Sequence, residues 1–136
     1  MHLNPYLNFA GQCEEAFAVY AQCLRGRILA MGTFVGSPLV GDVPVSWRSK
    51  ILHARMIVGD RLLMGGDELP EDYVKPAGFN VTLGPDDPAE AERIFAALVD
   101  RGKIRMPLQE TFWAHRFGML DDRFGIPWMI NCEKTA

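Results

Sequence analysis

Hydrophobic and polar positions along the chain follow two different periods, which together predict an ordered series of strands and helices. Alternation of apolar with polar residues is typical of a strand that buries one face. Apolar residues spaced three and four apart indicate an amphipathic helix. These patterns predict strands at 3–9, 27–35, 51–58, 61–64, 79–83 and 103–108, a helix at 13–25, and a second helix that starts at 88 and is ended by Gly102.

The first strand and the two helices show how the elements are assigned. Leu7 and Phe9 fall on the apolar side of the first strand, and polar residues fall on the other side. Gly26 stands where a left-handed residue is expected to terminate the first helix. Asp87 is the expected N-cap of the second helix and Pro88 its first residue, because an aspartate there accepts a hydrogen bond from an unpaired backbone N–H.

Two segments follow neither period. Residues 36–50, GSPLVGDVPVSWRSK, are interrupted by proline and glycine and predict a long loop, and residues 65–76 predict a connector. A structureless loop of this length in a compact domain is expected to be functional or mobile.

The order of elements repeats along the chain at a constant offset in numbering, although few residues are identical. The matched pairs are Leu3 with Phe79, Asn4 with Asn80, Leu7 with Leu83, Glu14 with Glu90, Gly26 with Gly102, and Ile28 with Ile104. The sequence therefore predicts an α+β fold of two βαβββ modules, at about 1–70 and about 77–136, within one domain spanning 1–136. Each sheet is expected to place its apolar face under its own helix, with the other face curling toward a shared interior.

The C-terminal stretch 109–133 is rich in aromatic residues and predicts a β-hairpin. Two apolar runs, 117–120 and 126–130, flank the segment DDRFG, and Pro127 suits the start of a strand. Most of this aromatic density is expected to form hydrophobic core. Core packing does not by itself explain the polar residues Glu110, His115 and Asn131 interleaved with it.

Composition excludes several classes of partner. The chain has 136 residues, a formal net charge of −3, and no cluster of basic residues, so a nucleic-acid partner is not expected. Its apolar stretches are far shorter than a membrane span. The N-terminus lacks the basic and apolar segments of a secretory signal. The three cysteines, Cys13, Cys23 and Cys132, lack metal-type spacing, and reduced thiols in the cytoplasm are the simplest interpretation.

Two stretches carry a family resemblance that spans nearly the whole chain. QETFWAHRFGMLDDRFGIPWMIN near the C-terminus and YLNFAGQCEEAFAVY near the N-terminus resemble the PhnB-like branch of the vicinal oxygen chelate superfamily. That superfamily includes glyoxalases, bleomycin-resistance proteins and extradiol dioxygenases. The resemblance implies a cupped, eight-stranded mixed sheet around a small-molecule cavity, and a homodimer. It does not imply one activity, because a single fold supports several chemistries.

Residues on the faces opposite the helices are the candidate ligand contacts. If the apolar faces pack under the helices, the polar residues of the strands are expected to face the cavity; alternatively, that face is solvated. Ligand pockets combine apolar walls with a few polar groups. Trp113 and Met129 are expected to form part of the apolar wall. The predicted ligand-binding residues are Asn4, Tyr6, Asn8, His53, Arg55, Asn80, Trp113 and Met129.

The resemblance also suggests where a metal would bind. Metal-binding members of the superfamily take ligands from the first and last strand of each module, and these positions fall near Asn4, Met64, Asn80 and Met129. Amides and thioethers are poor ligands for the transition metals concerned. The sequence therefore predicts a protein without metal or other cofactor. The alternative is a divalent-metal lyase, isomerase or dioxygenase with ligands elsewhere.

Glu110 is the one candidate catalytic residue. Among Phe112, Trp113 and Phe117 its carboxylate would be desolvated, which would raise its pKa and suit a general acid or base. The alternative is an exposed carboxylate at a strand end. Glu110 and Trp113 would reach one pocket only if the strand is bulged or ends there. Some relatives are described as methyltransferases, but no glycine-rich turn followed by an acidic residue indicates a nucleotide-type cofactor. The predicted function is a small-molecule binding protein or an enzyme of unassigned substrate.

Overall fold

A computed structural model describes residues 1–135 and divides the chain into two compact units, Met1–Val74 and the part from Lys75 onward. The first unit contains β1 (Tyr6–Phe9), α1 (Cys13–Leu24), β2 (Arg27–Thr33), β3 (Ile51–Val58) and β4 (Arg61–Asp67). The second contains β5 (Val81–Leu83), α2 (Pro88–Val99), β6 (Lys103–Gln109), β7 (Ala114–Asp121) and β8 (Pro127–Glu133). Two short 3-10 helices, Pro38–Asp42 and Val45–Trp47, lie between β2 and β3.

Each unit forms one four-stranded mixed sheet with the same topology. The strand order is β1-β4-β3-β2 in the first unit and β5-β8-β7-β6 in the second. The first strand of each unit runs parallel to the last, and the remaining neighbours are antiparallel. The predicted α+β fold of two βαβββ units is therefore confirmed, with its eight strands divided between two sheets.

The core of the first unit lies between α1 and one face of its sheet. Leu7 and Phe9 of β1 are buried, as the alternation predicts, and the aromatic rings of Phe17 and Tyr20 pack against Phe9. Gly65 allows this approach, because a Cβ atom there would lie 2.8 Å from the Phe17 ring. Each large apolar side chain buried in this way stabilises the fold by about 1.5–3 kcal/mol.

The core of the second unit is built in the same way around α2. Leu120, Trp128 and Ile130 are fully buried in the sheet. A Cβ atom on Gly118 would lie 2.8 Å from the Phe95 ring, so glycine lets the helix pack close to the strand. The expectation that most of the C-terminal aromatic residues are core holds for Trp128, Phe117 and Phe124.

The helix ends confirm one prediction and correct another. Asp87 caps α2 by accepting a hydrogen bond from the backbone N–H of Ala89 at 3.3 Å. The left-handed residue after α1 is Arg25, with φ of 53°, and not Gly26. Gly26 instead lies close to β3, since a Cβ atom there would lie 3.0 Å from the carbonyl oxygen of Ile57. Gly102 follows the left-handed Arg101 in the same manner.

Several predicted boundaries were wrong. The first strand begins at Tyr6 rather than at residue 3, and the fifth begins at Val81 rather than at 79. Residues 65–67 extend β4, where Gly65 and Gly66 pair with β1, and do not form part of the predicted connector. Two adjacent glycines weaken the strand signal in the sequence, and only pairing with β1 reveals the strand.

The constant offset between the two units holds for the first half of each unit and then fails. The offset that matches Asn4 with Asn80 also matches the first and last residues of β2 with those of β6. It does not match the start of β3 with the start of β7, because the connection before these strands spans 34–50 in the first unit and only 110–113 in the second. The first unit thus carries an insertion that contains both 3-10 helices.

The C-terminal hairpin is confirmed, and a buried carboxylate organises its turn. Asp122 accepts hydrogen bonds from the backbone N–H groups of Phe124 and Ile126 through Oδ1, and from the indole of Trp128 through Oδ2 at 2.8 Å. The turn is thereby tied to the core of the second unit.

Candidate functional site

Each sheet packs one face against its helix, and the opposite face, here called the helix-free face, carries the candidate site residues. Residues that lie directly opposite each other on paired strands point to the same face. In the first unit one such row runs from β1 to β2 through Tyr6, Met64, Arg55 and Ala30. Two predicted ligand contacts, Tyr6 and Arg55, therefore lie on this face of one sheet.

Tyr6 and His53 form a stacked pair of polar aromatic side chains on this face. Their rings stack with centroids 5.7 Å apart, and the Tyr6 hydroxyl donates to the carbonyl oxygen of Leu52 at 3.3 Å. Gly66 makes room for that hydroxyl, because a Cβ atom there would lie 2.7 Å from it. Partial burial, and then the negative charge of nearby groups, raises the pKa of Tyr6.

The other predicted contacts of the first unit are less constrained. Asn8 and Arg55 are exposed, and Asn4 lies just before the start of β1. Within the first unit, Asn8 and Arg55 are therefore solvent-exposed, as the alternative of a solvated polar face predicts.

The second unit has an equivalent row of different chemistry. Thr82, Met129, Met119 and Met106 lie opposite one another from β5 to β6. Register makes Thr82 the counterpart of Tyr6, and Met129 that of Met64. Three thioether side chains in a row provide an adaptable apolar surface on the helix-free face.

Trp113 lies beside this row and is only partly packed. Its side chain is 40% exposed, and its ring contacts Phe112 and Phe117 edge-on at 4.8 and 5.1 Å between centroids. Its indole N–H donates to Oδ1 of Asn131 at 3.2 Å. A partly exposed aromatic ring whose polar edge is hydrogen-bonded is suited to contact a planar ligand.

Glu110 does not have the environment expected of a desolvated acid. Its side chain is 63% exposed and pairs with Lys134 at 3.4 Å. The expected burial among aromatic residues is therefore wrong, and the exposed strand-end carboxylate is what the structure contains. The strand does end where required: β6 stops at Gln109, and residues 110–113 form the connection to β7.

Asn80 is held by a residue that the sequence analysis missed. Arg105 donates through Nη2 to the Asn80 side-chain oxygen, and its Nε pairs with Oδ1 of Asp121 at 2.9 Å. Arg105 is the unpaired residue of a β-bulge, since Ile104 and Met106 have partners on β7 and it has none. A bulge redirects one side chain and leaves little trace in the alternation of a sequence. The only hint was a charged residue between two apolar ones.

A cavity of about 420 Å³ opens at this point, wholly within the second unit. It is lined by residues 75–79, Arg105, Asp121 and Pro127. Phe79 and two prolines supply apolar wall, while Lys75, Arg105 and Asp121 supply charge. The cavity therefore combines apolar surface with a few fixed polar groups, as ligand sites commonly do.

The positions of the superfamily's metal ligands do not carry residues that fit a transition metal. The resemblance implies positions near Asn4 and Asn80, which precede the first strands, and near Met64 and Met129 on the last strands. Asn80 is already bonded to Arg105. Within residues 1–135, no group of three or more His, Cys, Asp or Glu side chains is placed to hold a metal ion.

The end of the loop 36–50 folds back on its own unit. Lys50 donates through Nζ to the carbonyl oxygen of Gly11 at 3.0 Å, and its ammonium group lies 5.8 Å from the centre of the Trp47 ring. Within this unit the carboxylate of Asp67 ties the same turn down, accepting from the backbone N–H groups of Gly11, Cys13 and Ile51. The insertion is thus anchored to the turn between β1 and α1.

Two βαβββ units of the same topology define the class of protein. This is the glyoxalase/bleomycin-resistance fold, which a fosfomycin resistance protein also has. A PhnB protein from Bacillus cereus shares it with a TM-score of 0.81 at 20% identity, covering 96% of this chain and 98% of that one. None of the helices among the described residues is long and apolar enough to cross a membrane.

Sequence comparison then identifies the family. Residues 1–131 match the family model described as 3-demethylubiquinone-9 3-methyltransferase, and the chain belongs to that family. Protein YjdN of Escherichia coli K12 is 36% identical, over 98% of this chain and 97% of its own length. The crystal structure of protein PA1353 from Pseudomonas aeruginosa is 46% identical, with a TM-score of 0.90 and 99% of each chain covered. The predicted PhnB-like membership is confirmed.

Proposed function

We propose that this protein binds a small organic molecule on the helix-free faces of its sheets, without a tightly held divalent metal. The observation that carries the proposal is the contrast between the two faces of the second sheet. The face under α2 is closed by fully buried side chains such as Leu120 and Trp128. The helix-free face presents a methionine row, a half-exposed Trp113 and a cavity with charged groups.

The first unit supports the same proposal with different groups. Tyr6 and His53 stack there, and both have hydrogen-bonding atoms to offer a ligand. The row of the first unit, together with the neighbouring His53, therefore offers polar side chains, whereas the row of the second unit offers three thioethers.

The chemistry of the available side chains favours binding without a transition metal. Thioethers and amides occupy the four positions from which relatives would ligate a metal, and such ligands are poor for Ni²⁺, Zn²⁺, Mn²⁺ or Fe²⁺. The family description also names methyl transfer, which requires a methyl donor. A nucleotide-type donor is usually held by a glycine-rich turn between a strand and a helix of a doubly wound parallel sheet. Each helix here is followed by a strand that joins an antiparallel ladder, so the described residues do not form that kind of site.

The experiment is an NMR titration of ¹⁵N-labelled protein with a library of small organic molecules, with and without added divalent metal ions. The proposal expects ligand-dependent shifts at the Trp113 indole and at the amides of Met119 and Met129, in protein treated with a chelator. Stoichiometric metal in the native protein, with stability lost on chelation, would contradict the metal-free part. Shifts confined to residues under α1 and α2 would contradict the binding surface.

We further propose a cytoplasmic homodimer. Cys13, Cys23 and Cys132 are buried thiols, as suits a reducing compartment. Ile28 and Leu29 on β2, and Ile104 and Met106 on β6, are exposed apolar residues on edge strands. A second copy that covered such edges would remove apolar surface from water. Light scattering during size-exclusion chromatography tests this: a mass near twice 15.2 kDa is expected, and a monomer would contradict it.

A further inference from the structure

Arg105 places a fixed positive charge on the helix-free face of the second unit. Its Nε pairs with Asp121, and its Nη2 donates to Asn80 and to the carbonyl oxygens of Leu120 at 3.1 Å and Trp128 at 3.4 Å. These four partners determine the position of the guanidinium group. A charge held in place in this way loses little side-chain freedom when a further partner binds.

One nitrogen of this guanidinium has no partner. Across residues 1–135, Nη1 of Arg105 makes no hydrogen bond, although the side chain is only 29% exposed. Arg105 lines the cavity of the second unit. The two N–H groups of Nη1 are therefore the donors that a molecule in this cavity could use.

The charge of the cavity is positive by one. Lys75 and Arg105 contribute two positive charges to its lining, and Asp121 contributes one negative charge. Asp121 is committed to Arg105, whereas Lys75 makes no ion pair or hydrogen bond within the described part of the chain. An anionic group of a ligand would find two donors and one uncompensated charge here.

The rest of the cavity lining is apolar and favours a ligand with an apolar body. Phe79, Pro76 and Pro127 form the wall, and Phe79 is 48% exposed. A hydrated inorganic ion would gain nothing from this wall. An organic anion with a flat apolar body would bury Phe79 as it paired with Arg105.

We propose that the ligand class of this site is a small organic carboxylate with an apolar body, read by Nη1 of Arg105 and by Lys75, with Asp121 and Asn80 as positioning residues. This inference rests on the proposed function and makes it specific. Arg105 selects for a negative charge because a hydrogen bond from a guanidinium to a carboxylate is stronger than one to a neutral acceptor, above all in a partly desolvated cavity. Asp121 keeps the guanidinium in the plane that presents Nη1.

The test compares two molecules of the same shape, 3-phenylpropionate and its neutral amide 3-phenylpropionamide, titrated into the full ¹⁵N-labelled chain. Inorganic phosphate forms a third arm. The carboxylate is expected to bind at least about tenfold more tightly than the amide, as one charge-assisted hydrogen bond would give. Shifts should appear at Gly78, Phe79 and the Arg105 side chain. Phosphate is expected to bind more weakly than the carboxylate, since it lacks an apolar body.

Three variants make the assignment specific. Arg105→Gln should abolish the preference for the carboxylate. Lys75→Gln should reduce it several-fold, and it tests the proposal even if Arg105→Gln fails to fold, because Lys75 is exposed and unbonded among the described residues. Arg61→Gln is the matched control: it removes the same charge from a side chain that is 90% exposed in the first unit and should leave the preference unchanged.

Each outcome separates this inference from the proposed function. Equal binding of carboxylate and amide, or a preference that survives Lys75→Gln and Arg105→Gln, would overturn the assignment of the ligand class. Phosphate binding as tightly as the carboxylate would also overturn it, by showing a site for a bare anion. If other small molecules still shift Trp113 and Met129, the proposed function stands without this inference. If no small molecule binds either surface, both fail together.

Discussion

The indole N–H of Trp128 donates to the carboxylate of Asp122 at 2.8 Å, and both side chains are buried. The other oxygen of the same carboxylate accepts from two backbone N–H groups of the hairpin turn. One side chain therefore holds together a turn and the largest residue of the core. Because two backbone N–H groups bind one oxygen and the indole N–H binds the other, both oxygens of the side chain have to be hydrogen-bond acceptors.

Asp122→Asn is expected to lower the free energy of unfolding by about 1–3 kcal/mol, because an amide nitrogen cannot accept from the indole or from the turn. Urea denaturation followed by tryptophan fluorescence measures the change. The control is Asp60→Asn, whose carboxylate is 91% exposed and pairs with Arg61; this change should stay within about 0.5 kcal/mol. Equal effects of the two substitutions would show that the buried network contributes little.

Gly66→Ala should disturb the candidate site of the first unit and destabilise it. The new Cβ would lie 2.6 Å from the carbonyl oxygen of Leu52 and 2.7 Å from the Tyr6 hydroxyl. Because the first of these contacts is with backbone, the strand itself has to shift, at a cost of about 1–3 kcal/mol. Tyr6→Phe, which removes only the hydroxyl, is expected to cost about 1 kcal/mol or less. Thermal unfolding of both variants compares them, and a Gly66→Ala protein as stable as wild type would contradict the close packing.

Trp113 and Glu110 are expected to separate binding from stability. Trp113→Ala should weaken binding of a ligand that quenches tryptophan fluorescence while the protein still unfolds cooperatively, because the ring is 40% exposed. Glu110→Gln removes an exposed ion pair with Lys134 and should change stability by less than about 1 kcal/mol. Calorimetric titration together with thermal unfolding checks both. A Trp113→Ala protein that binds as before but melts earlier would assign this ring to the core.

Alkaline pH should destabilise the protein through Cys13. This thiol lies at the first residue of α1, where a helix N-terminus usually favours the thiolate, but burial and the nearby charges of Asp67 and Glu14 raise its pKa above the ordinary 9.0. The unfolded chain therefore loses this proton first. Stability is unaffected well below pH 9 and falls as pH rises above it, by up to about 1.4 kcal/mol per pH unit for one thiol.

Cys13→Ala should reduce that slope, and urea denaturation between about pH 7 and about pH 10 measures it. Cys132 is also buried, and its pKa is raised chiefly by burial and then by Asp87 and Asp86, so a second share of the slope should remain in this variant. The comparison uses slopes and not absolute stabilities, because the alanine also leaves a cavity. An unchanged slope would mean that Cys13 ionises equally in the folded and unfolded chains.

Local periodicity and the internal repeat were sufficient to predict the order of helices and strands, whereas the site depended on long-range pairing. Alternation identified the buried side of β1, and the aspartate-proline pair identified the start of α2. Arg105 was not predicted as a site residue because a bulge interrupts the alternation of apolar and polar residues. Its partners Asn80 and Asp121 are also distant from it in sequence, one before it and one after it. The exposure of Glu110 was equally hidden, since it depends on where β6 ends. Neighbouring aromatic residues in sequence did not imply a common environment.

The two units share topology and strand register. Each unit can therefore serve as the internal control for the other, because equivalent positions are under the same structural constraints. Arg55 and Met119 occupy equivalent positions in the two sheets, as do Tyr6 and Thr82. The two members of each pair have different side chains on equivalent backbone positions. A saturation screen that scores both members of a pair would expose their differences directly. Substitutions tolerated in one unit but not in its counterpart would mark positions under selection for a task, and equal tolerance would mark scaffold.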